Sequence, residues 1–359
     1  MPEVKRGAAG AGSADDDTRM SPRATRRRAL RIVAAVAGLP LLIAAVRATA
    51  PKGRFYSWRG EVLDAVSEVA LWHTNAAFAQ RTILRVRLEI ERLERIFSLY
   101  RQDSEISRLN AAGMLSKPAP ELRELVEASQ RLGEISDGAF DISVQPLWRL
   151  YEAHFWSRTA IQPDLAARAR EVAHALVDFR KIDSGAASIG FARPGMAITL
   201  NSLAQGYITD AVADLLRNEG FESAMVDLGE ISTLGRHPDG RPWRLGIRDL
   251  GIRNRWGSDN RVVELADLAL AVSGGYGTVF EPSGRFHHIF DPHTAASANG
   301  LVDVAVIGPR ATTANGLSTA ICVAGEAQAS RLLAAYPGTQ AILTRPDGTS
   351  VTFTAKEAD

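Results

Sequence analysis

The sequence predicts one α+β domain over residues 55–359, and three observations support this fold class. A long amphipathic helix is predicted over residues 76–97, where Ile83, Val86 and Ile90 recur at helical spacing. After the first 183 residues the pattern changes to short apolar runs separated by turn residues, which is typical of strands and hairpins. No internal repeat and no long linker divides these two halves, so a single domain is the simplest arrangement.

The remaining elements follow from the same spacing and punctuation rules. Two more helices are predicted in the first half, one over residues 121–135 and one that begins at Pro163-Asp164. The second half predicts, in chain order, a hairpin of ASIGF and MAITL, a helix over ITDAVADLLRNEG, strands at SAMVDLG, WRLGIRD and VDVAVIG, helices through GLSTAICVA and QASRLLAAY, and a hairpin that turns at residues 346–348.

Residues 1–50 have the pattern of an export signal. Three arginines at positions 26–28 precede an apolar run over residues 32–46, and Ala48-Thr49-Ala50 provides a small-residue cleavage site. Paired arginines before such a run are typical of the twin-arginine route, which exports folded proteins. We therefore expect a periplasmic protein that is soluble after cleavage.

Two alternatives concern how this signal begins and what becomes of it. Met20 is an alternative start, because the acidic run ADDD before it does not suit a positively charged n-region. The apolar run could instead remain as an uncleaved anchor, but it is short and Pro40 interrupts it, which favours cleavage.

Charge and cysteine content limit the function classes. The 359-residue chain is 46% hydrophobic and 23% charged, as in ordinary globular proteins. Removing residues 1–50 takes away nine basic and four acidic residues and leaves 33 basic against 37 acidic ones. The charge of the remaining chain therefore gives no support for nucleic-acid binding. Cys322 is the only cysteine, which excludes an intramolecular disulfide and a lipid anchor after the apolar run.

Two polar segments in the first half are ambiguous when taken alone. FSLYRQDSEISRLN offers Tyr100, Ser104, Ser107 and Asn110, which could line a ligand cleft or could cap and turn the chain. The capping interpretation is favoured for this segment by itself. In GAFDISVQPLW, Asp141 lies between apolar residues and therefore needs a partner or hydrogen bonds.

Two segments in the second half are compatible with phosphate and metal binding. LNSLAQGYITD places Gly206 at the start of a predicted helix, where backbone N–H groups and the helix dipole favour a phosphate. TTANGLSTA places Asn315 and Thr319 four residues apart on a helix, so both oxygens could face one hard cation. On geometry alone, a helix cap plus a buried threonine that bonds back to the helix is the favoured interpretation of the second segment.

The segment FHHIFDPHT contains three of the seven histidines, His287, His288 and His293, together with Asp291. It could form a zinc site or an acid/base centre, or it could be a strand end that happens to carry imidazoles. Adjacent residues of a strand point to opposite faces, so His287 and His288 converge on one ion with difficulty, which disfavours zinc.

Taken together and in this order, six segments resemble the ApbE family of FAD:protein FMN transferases. They are FSLYRQDSEISRLN, DGAFDISVQPLW, AQGYITD, MVDLGE, HHIFDPHT and TTANGLSTA, which span residue 97 to about residue 325. The resemblance implies a single compact T-fold-like α+β domain with an FAD cleft, and a Mg²⁺ ion on the pyrophosphate. It also implies transfer of FMN from FAD to a threonine hydroxyl of an acceptor protein, with release of AMP.

The resemblance also implies residue roles. His288 would take the proton of the acceptor threonine, and Asp291 would orient His288 or the adjacent turn. Mg²⁺ would be held by the backbone carbonyl of Ser202 and the side chains of Asn315 and Thr319. The residues expected around the FAD are Tyr100, Ser104, Asn110, Asp141, Gln205, Gly206, Gly229, Glu230 and Ser273.

Acceptors in this family carry a Ser/Asp-Gly-Ala/Ser-Thr type sequence and are usually membrane electron-transfer subunits. The lack of a lipid-anchor cysteine and the twin-arginine signal also resemble a soluble branch associated with nitrous-oxide respiration, whose acceptor is a membrane regulator.

Three positions depart from the family pattern. Gln205 replaces a lysine, Ala295 replaces a glycine, and Asn315 replaces a metal-binding aspartate. The last change leaves two alternatives to the transferase: an exported FAD-binding or flavin-delivery protein without turnover, and a metal-dependent FAD pyrophosphatase.

Overall fold

The computed structural model describes residues 53–156, 165–247 and 261–355. The predicted export signal at residues 1–50 and the predicted helix start at Pro163-Asp164 lie outside the described residues. Within the described residues, no helix combines the length and the apolar character needed to cross a membrane.

The α-helices, in chain order, are α1 (Ala76–Phe97), α2 (Glu105–Ala112), α3 (Pro120–Ile135), α4 (Gln145–Phe155), α5 (Ala167–His174), α6 (Asn201–Asn218), α7 (Ala311–Ala324) and α8 (Ala329–Ala334). The predictions for α1 and α3 are confirmed to within one residue. The side chain of Asn75 accepts a hydrogen bond of 3.0 Å from the Phe78 N–H and so caps α1.

The strands are β1 (Arg54–Val62), β2 (Ala65–His73), β3 (Met114–Ser116), β4 (Ile182–Asp183), β5 (Ser188–Phe191), β6 (Ala224–Asp227), β7 (Ile231–Leu234), β8 (Trp243–Ile247), β9 (Arg261–Leu265), β10 (Ala269–Gly274), β11 (Phe290–Asp291), β12 (Ala296–Ser297), β13 (Asp303–Gly308), β14 (Gln340–Thr344) and β15 (Ser350–Thr354). Eight of them form one sheet in the order β1-β2-β6-β7-β10-β13-β14-β15. All pairs in this sheet are antiparallel.

The two faces of the large sheet bury different cores. Alternate residues point to opposite faces, so Ala271 packs with helices α1, α6 and α7 in the main core, whereas its neighbour Leu270 faces the other way. On that second face, Leu245 and Val263 of the β8–β9 hairpin cover the sheet. A third cluster joins α4, α5 and the loop around β11, with Tyr151 and Phe280 among its members.

One predicted hairpin is wrong. The run MAITL over residues 196–200 is not a strand, and β5 pairs instead with β3 and β4. The Ile198 N–H bonds to the side chain of Asn110 (2.7 Å), and the Thr199 N–H bonds to the carbonyl of Ile142 (2.8 Å). These long-range partners satisfy the backbone that a hairpin would have paired, and a local sequence pattern does not reveal them.

Candidate active site

A cavity of about 630 Å³ opens between the large sheet, the starts of α4 and α6, and the loop that carries His288. Eleven of the fourteen predicted site residues line it: Tyr100, Asn110, Asp141, Ser202, Gln205, Gly229, Glu230, Ser273, His288, Asn315 and Thr319. They come from segments more than two hundred residues apart in the sequence. A concave site with few convergent polar groups is the usual form of a nucleotide-binding site.

Ser104 does not line the cavity. Its hydroxyl is fully buried, donates to the carbonyl of Ser98 (2.6 Å) and accepts from the Ser107 N–H (3.2 Å) at the start of α2. These bonds occupy the hydroxyl, so the assignment of Ser104 to the nucleotide is corrected to a helix cap.

Gly206 also lies away from the cavity. Helix α6 begins at Asn201, so Gly206 is in the second turn and not at the helix entry. A Cβ at this position would lie 2.5 Å from the carbonyl oxygen of Ala311. The glycine is therefore needed for the close approach of α6 and α7, and its assignment to the pyrophosphate is corrected.

Asp291 contacts the turn that follows it and not His288. Its carboxylate accepts from the Thr294 hydroxyl (2.9 Å) and from the His293 N–H (2.9 Å), and its carbonyl accepts from the Ala295 N–H (2.9 Å). Of its two expected roles, the structure supports holding the turn. Ala295 has φ +56°, so the position where the family has glycine does require the left-handed conformation.

His288 is partly buried on one wall of the cavity. Burial, and secondly the neighbouring His287, lower the pKa of the His288 imidazole to about 4, so the ring is neutral at pH 7. Its Nδ1 lies 3.2 Å from both the N–H and the carbonyl oxygen of Thr278. When Nδ1 donates to that carbonyl, Nε2 keeps its lone pair, which is the tautomer that a general base needs.

The other two histidines of the segment bind elsewhere. His287 lies 3.2 Å from the Asn299 amide oxygen through Nε2, and His293 lies 2.9 Å from the Asp137 carbonyl through its own Nε2. The two rings are therefore held by different hydrogen-bond partners. In the part of the chain that the structure describes, no three His, Cys, Asp or Glu side chains converge on a metal position.

A second part of the cavity wall is built by α7 and the end of β10. The Asn315 Nδ2 donates to the Glu230 carboxylate at 2.5 Å, and the Thr319 hydroxyl lies 3.0 Å from that of Ser273. The Asn315 Oδ1 is buried and has no hydrogen-bond partner among the described residues. An unpartnered amide oxygen beside a hydroxyl suits a hard cation, so these side chains fit the Mg²⁺ that the resemblance implies.

Two acidic side chains belong to this region: Glu230, which is buried and lines the cavity, and Asp227, which is partly buried. Burial raises the pKa of the Glu230 carboxyl well above its ordinary value, and the carboxyl of Asp227 raises it further. Burial also raises the pKa of Asp227 to about 7. A cation bound at this wall would lower both pKa values, because its positive charge would favour the ionised carboxylates.

Asn110 and Asp141, which the resemblance places near the FAD, are held by main-chain contacts. Asn110 uses its amide oxygen and nitrogen on the N–H and carbonyl of Ile198, at 2.7 and 2.8 Å. Asp141 accepts from the N–H groups of Ser143 and Phe179, at 2.7 and 3.0 Å, and so holds the neighbouring loop. Burial raises the pKa of the Asp141 carboxyl above its ordinary value, and these hydrogen bonds make the rise smaller.

Gln205, at the start of the second turn of α6, meets Gly229. Gly229 has φ +101°, and a Cβ there would lie 2.7 Å from the amide nitrogen of Gln205. The glutamine at the position of the family lysine therefore packs against a turn that only glycine fits.

The sequence reading missed some residues of the site. Trp148 and Thr278 line the cavity, and the Trp148 ring lies 6.3 Å from that of His288. Asp210 of α6 accepts from the backbone N–H groups of Ala311 and Thr312 (2.8 and 2.9 Å) and caps α7. Trp148 belongs to the segment DGAFDISVQPLW, but no local pattern links Asp210 to a helix that begins 101 residues later.

The family model described as the ApbE family matches residues 64–343. The chain belongs to the ApbE family. It is 34% identical over 251 residues to an FAD:protein FMN transferase of Vibrio cholerae, covering 67% of this chain and 74% of that one. It is 31% identical over 318 residues to the FAD:protein FMN transferase of Treponema pallidum, covering 82% and 85%.

Solved structures of ApbE proteins have the same fold as this chain. The flavin transferase ApbE from Vibrio cholerae superposes with a TM-score of 0.74 at 25% identity, covering 85% of this chain and 98% of that one. The apo form of the Pseudomonas stutzeri flavinyl transferase ApbE superposes with a TM-score of 0.71 at 29% identity, covering 85% and 95%. The predicted α+β class and T-fold-like ApbE domain are thereby confirmed.

Proposed function

We infer that this chain is an FAD:protein FMN transferase, which takes FMN from FAD and attaches it to an acceptor protein. The observation that carries this function is one cavity that joins a neutral histidine on one wall to the oxygen-rich Asn315–Thr319 wall on the other. Family membership supplies the reaction, and the cavity contains the chemistry that the reaction needs.

The acceptor nucleophile is proposed to be a threonine hydroxyl. The neutral imidazole of His288 takes the hydroxyl proton as the threonine oxygen forms a bond to the phosphorus of the FMN half. The bond between that phosphorus and the bridging pyrophosphate oxygen breaks, and AMP leaves with the electron pair. When Nδ1 donates to the Thr278 carbonyl, this contact holds the ring with Nε2 available for the proton.

The phosphates are proposed to lie at the start of α6, where Asn201 and Ser202 line the cavity. The N-terminus of an eighteen-residue helix favours an anion through its free N–H groups and its dipole. Mg²⁺ would be held by the Ser202 carbonyl, Asn315 and Thr319. When bound, it polarises the phosphorus and neutralises charge on the departing AMP.

The acceptor is proposed to be a membrane electron-transfer or regulatory subunit with a Ser/Asp-Gly-Ala/Ser-Thr type sequence. The export signal predicted at residues 1–50 supports a periplasmic place of action, where such subunits present their flavinylation sites.

The test incubates the chain with FAD, Mg²⁺ and a domain that carries the acceptor threonine, with Asn315→Asp alongside. We expect the acceptor to gain the mass of one FMN less water on that threonine, and AMP to appear in equal amount. Release of FMN and AMP without labelling would instead identify an FAD pyrophosphatase. Binding of FAD with transfer only by Asn315→Asp would identify a flavin binder.

A further inference from the structure

Glu230 and Asn315 form a buried pair at the cavity wall. The Asn315 Nδ2 donates to Glu230 Oε1 at 2.5 Å, and the two residues are 4% and 5% exposed, respectively. Glu230 follows β6 on the turn into β7, and Asn315 lies on α7, so the fold brings together residues 85 positions apart. Both side chains line the cavity.

Two independent observations indicate that this pair lacks a positively charged partner. The Asn315 Oδ1 is buried without a hydrogen-bond partner among the described residues, although buried acceptors in folded proteins nearly always have one. Among the described residues, the Glu230 carboxylate bonds to Asn315 but makes no salt bridge with a basic side chain. A buried carboxylate without a cation beside it is unfavourable, and a divalent ion would satisfy both atoms.

We propose that Glu230 supplies the negative charge that asparagine at position 315 does not, and that its hydrogen bond orients Asn315 so that Oδ1 is the metal ligand. The two side chains together thus replace one aspartate: the amide provides the oxygen and the carboxylate provides the charge. Glu230 is a positioning residue, since it acts on the cation through Asn315. This inference rests on the proposed function, because it concerns the same Mg²⁺ site.

A negative charge beside a metal ligand stabilises the bound cation effectively when the site is shielded from water. Partners that orient a metal ligand typically change metal affinity by about 10–100-fold when they are removed. A purely structural Glu230 would instead only join α7 to the β6–β7 turn. Gln at position 230 separates the two roles, because its amide oxygen still accepts from Asn315 while the charge is gone.

The experiment measures Mn²⁺ binding to the full chain in the presence of FAD, from the electron paramagnetic resonance signal of free Mn²⁺. Glu230→Gln should weaken binding by about 10–100-fold. The double variant Glu230→Gln/Asn315→Asp moves the charge to the ligand and should restore the affinity of the natural chain. Asp227→Asn is the matched control, because it removes a nearby buried carboxyl that has no contact with Asn315, and it should change the affinity less.

Unchanged Mn²⁺ affinity in Glu230→Gln would overturn the proposal, and so would a folded double variant that stays weak. If Glu230→Gln does not fold, the double variant alone decides between these outcomes. The proposed function has a separate readout. If the variants bind Mn²⁺ with the expected relative affinities but the natural protein labels no threonine, the transferase is overturned and the role of Glu230 is not. If the natural protein labels the threonine but Glu230→Gln binds Mn²⁺ as tightly as the natural chain, the role of Glu230 is overturned and the transferase is not.

Discussion

The two walls of the cavity differ in how far the protein satisfies them by itself. On the histidine wall, Thr278 bonds to Nδ1 of His288, and burial keeps the ring neutral. On the α7 wall, within the described part of the chain, Asn315 Oδ1 has no hydrogen-bond partner and Glu230 makes no salt bridge. The comparison teaches that the fold alone keeps the proposed base His288 neutral, whereas the proposed phosphate side is completed only by what binds there.

The most direct way to break this comparison is to remove the prepared base. His288→Asn keeps a polar group near Thr278 but removes the nitrogen that takes the proton. We expect FMN transfer to fall by roughly 10²–10⁴-fold, with FAD binding retained. The measurement is the single-turnover rate of acceptor labelling, with His293→Asn as the control from the same segment. A fall of less than tenfold would remove His288 as the base.

The packing behind the α7 wall can be tested with Gly206→Ala. The new Cβ would approach the Ala311 carbonyl oxygen to 2.5 Å, so α6 and α7 must move apart. We expect the free energy of unfolding to fall by about 1–3 kcal/mol, measured by urea denaturation. Gly300→Ala is the control, because nothing lies within 4 Å of a Cβ there. Equal stability of the two variants would contradict the close helix contact.

The neutral state of His288 predicts a pH dependence of stability. Its pKa is about 4 in the folded protein and about 6.5 when unfolded, so the unfolded chain binds the proton first as pH falls. Stability attributable to His288 is therefore present above about pH 6.5 and is lost as pH falls toward 4, by about 1–2 kcal/mol at pH 5.

Two measurements check this dependence. Urea denaturation at pH 7 and pH 5 should show a smaller loss of stability in His288→Asn than in the natural chain. The His288 ring resonances followed by NMR should not titrate between pH 7 and pH 5. A midpoint near 6.5 would show that the ring is not prepared in the neutral form by the fold.

The smallest effect is expected at the turn that Asp291 holds. Ala295 is 1% exposed with φ +56°, so Ala295→Gly removes a buried methyl group but relieves a left-handed backbone. These terms are each about 1 kcal/mol and oppose one another, so we expect almost no change in unfolding free energy. Ala271→Gly, at a buried strand position, should lose about 1 kcal/mol. Equal losses in both variants would mean that position 295 carries no strain.

Much of this outcome was accessible from local patterns. The periodicity of Val86 and Ile90 predicted α1, and ordered short motifs placed His288, Asn315 and Thr319 in one site before their proximity was known. The patterns failed where a residue serves a distant partner. Ser104 and Gly206 have the residue types of a nucleotide site. The Ser104 hydroxyl, however, donates to the Ser98 carbonyl, and the space beside Gly206 is filled by the backbone of α7.

The sequence by itself determined the α+β class, the family and the chemical types of the site residues, because these depend on periodicity and on motifs read along the chain. Tertiary structure alone decided which groups are satisfied. Burial keeps His288 neutral and leaves the Asn315 oxygen without a partner in the part of the chain that the structure describes. The bond between Asn315 and Glu230 joins residues 85 positions apart. Burial and long-range contact set the cost of charge and of unpaired polar atoms, and neither is written in local spacing.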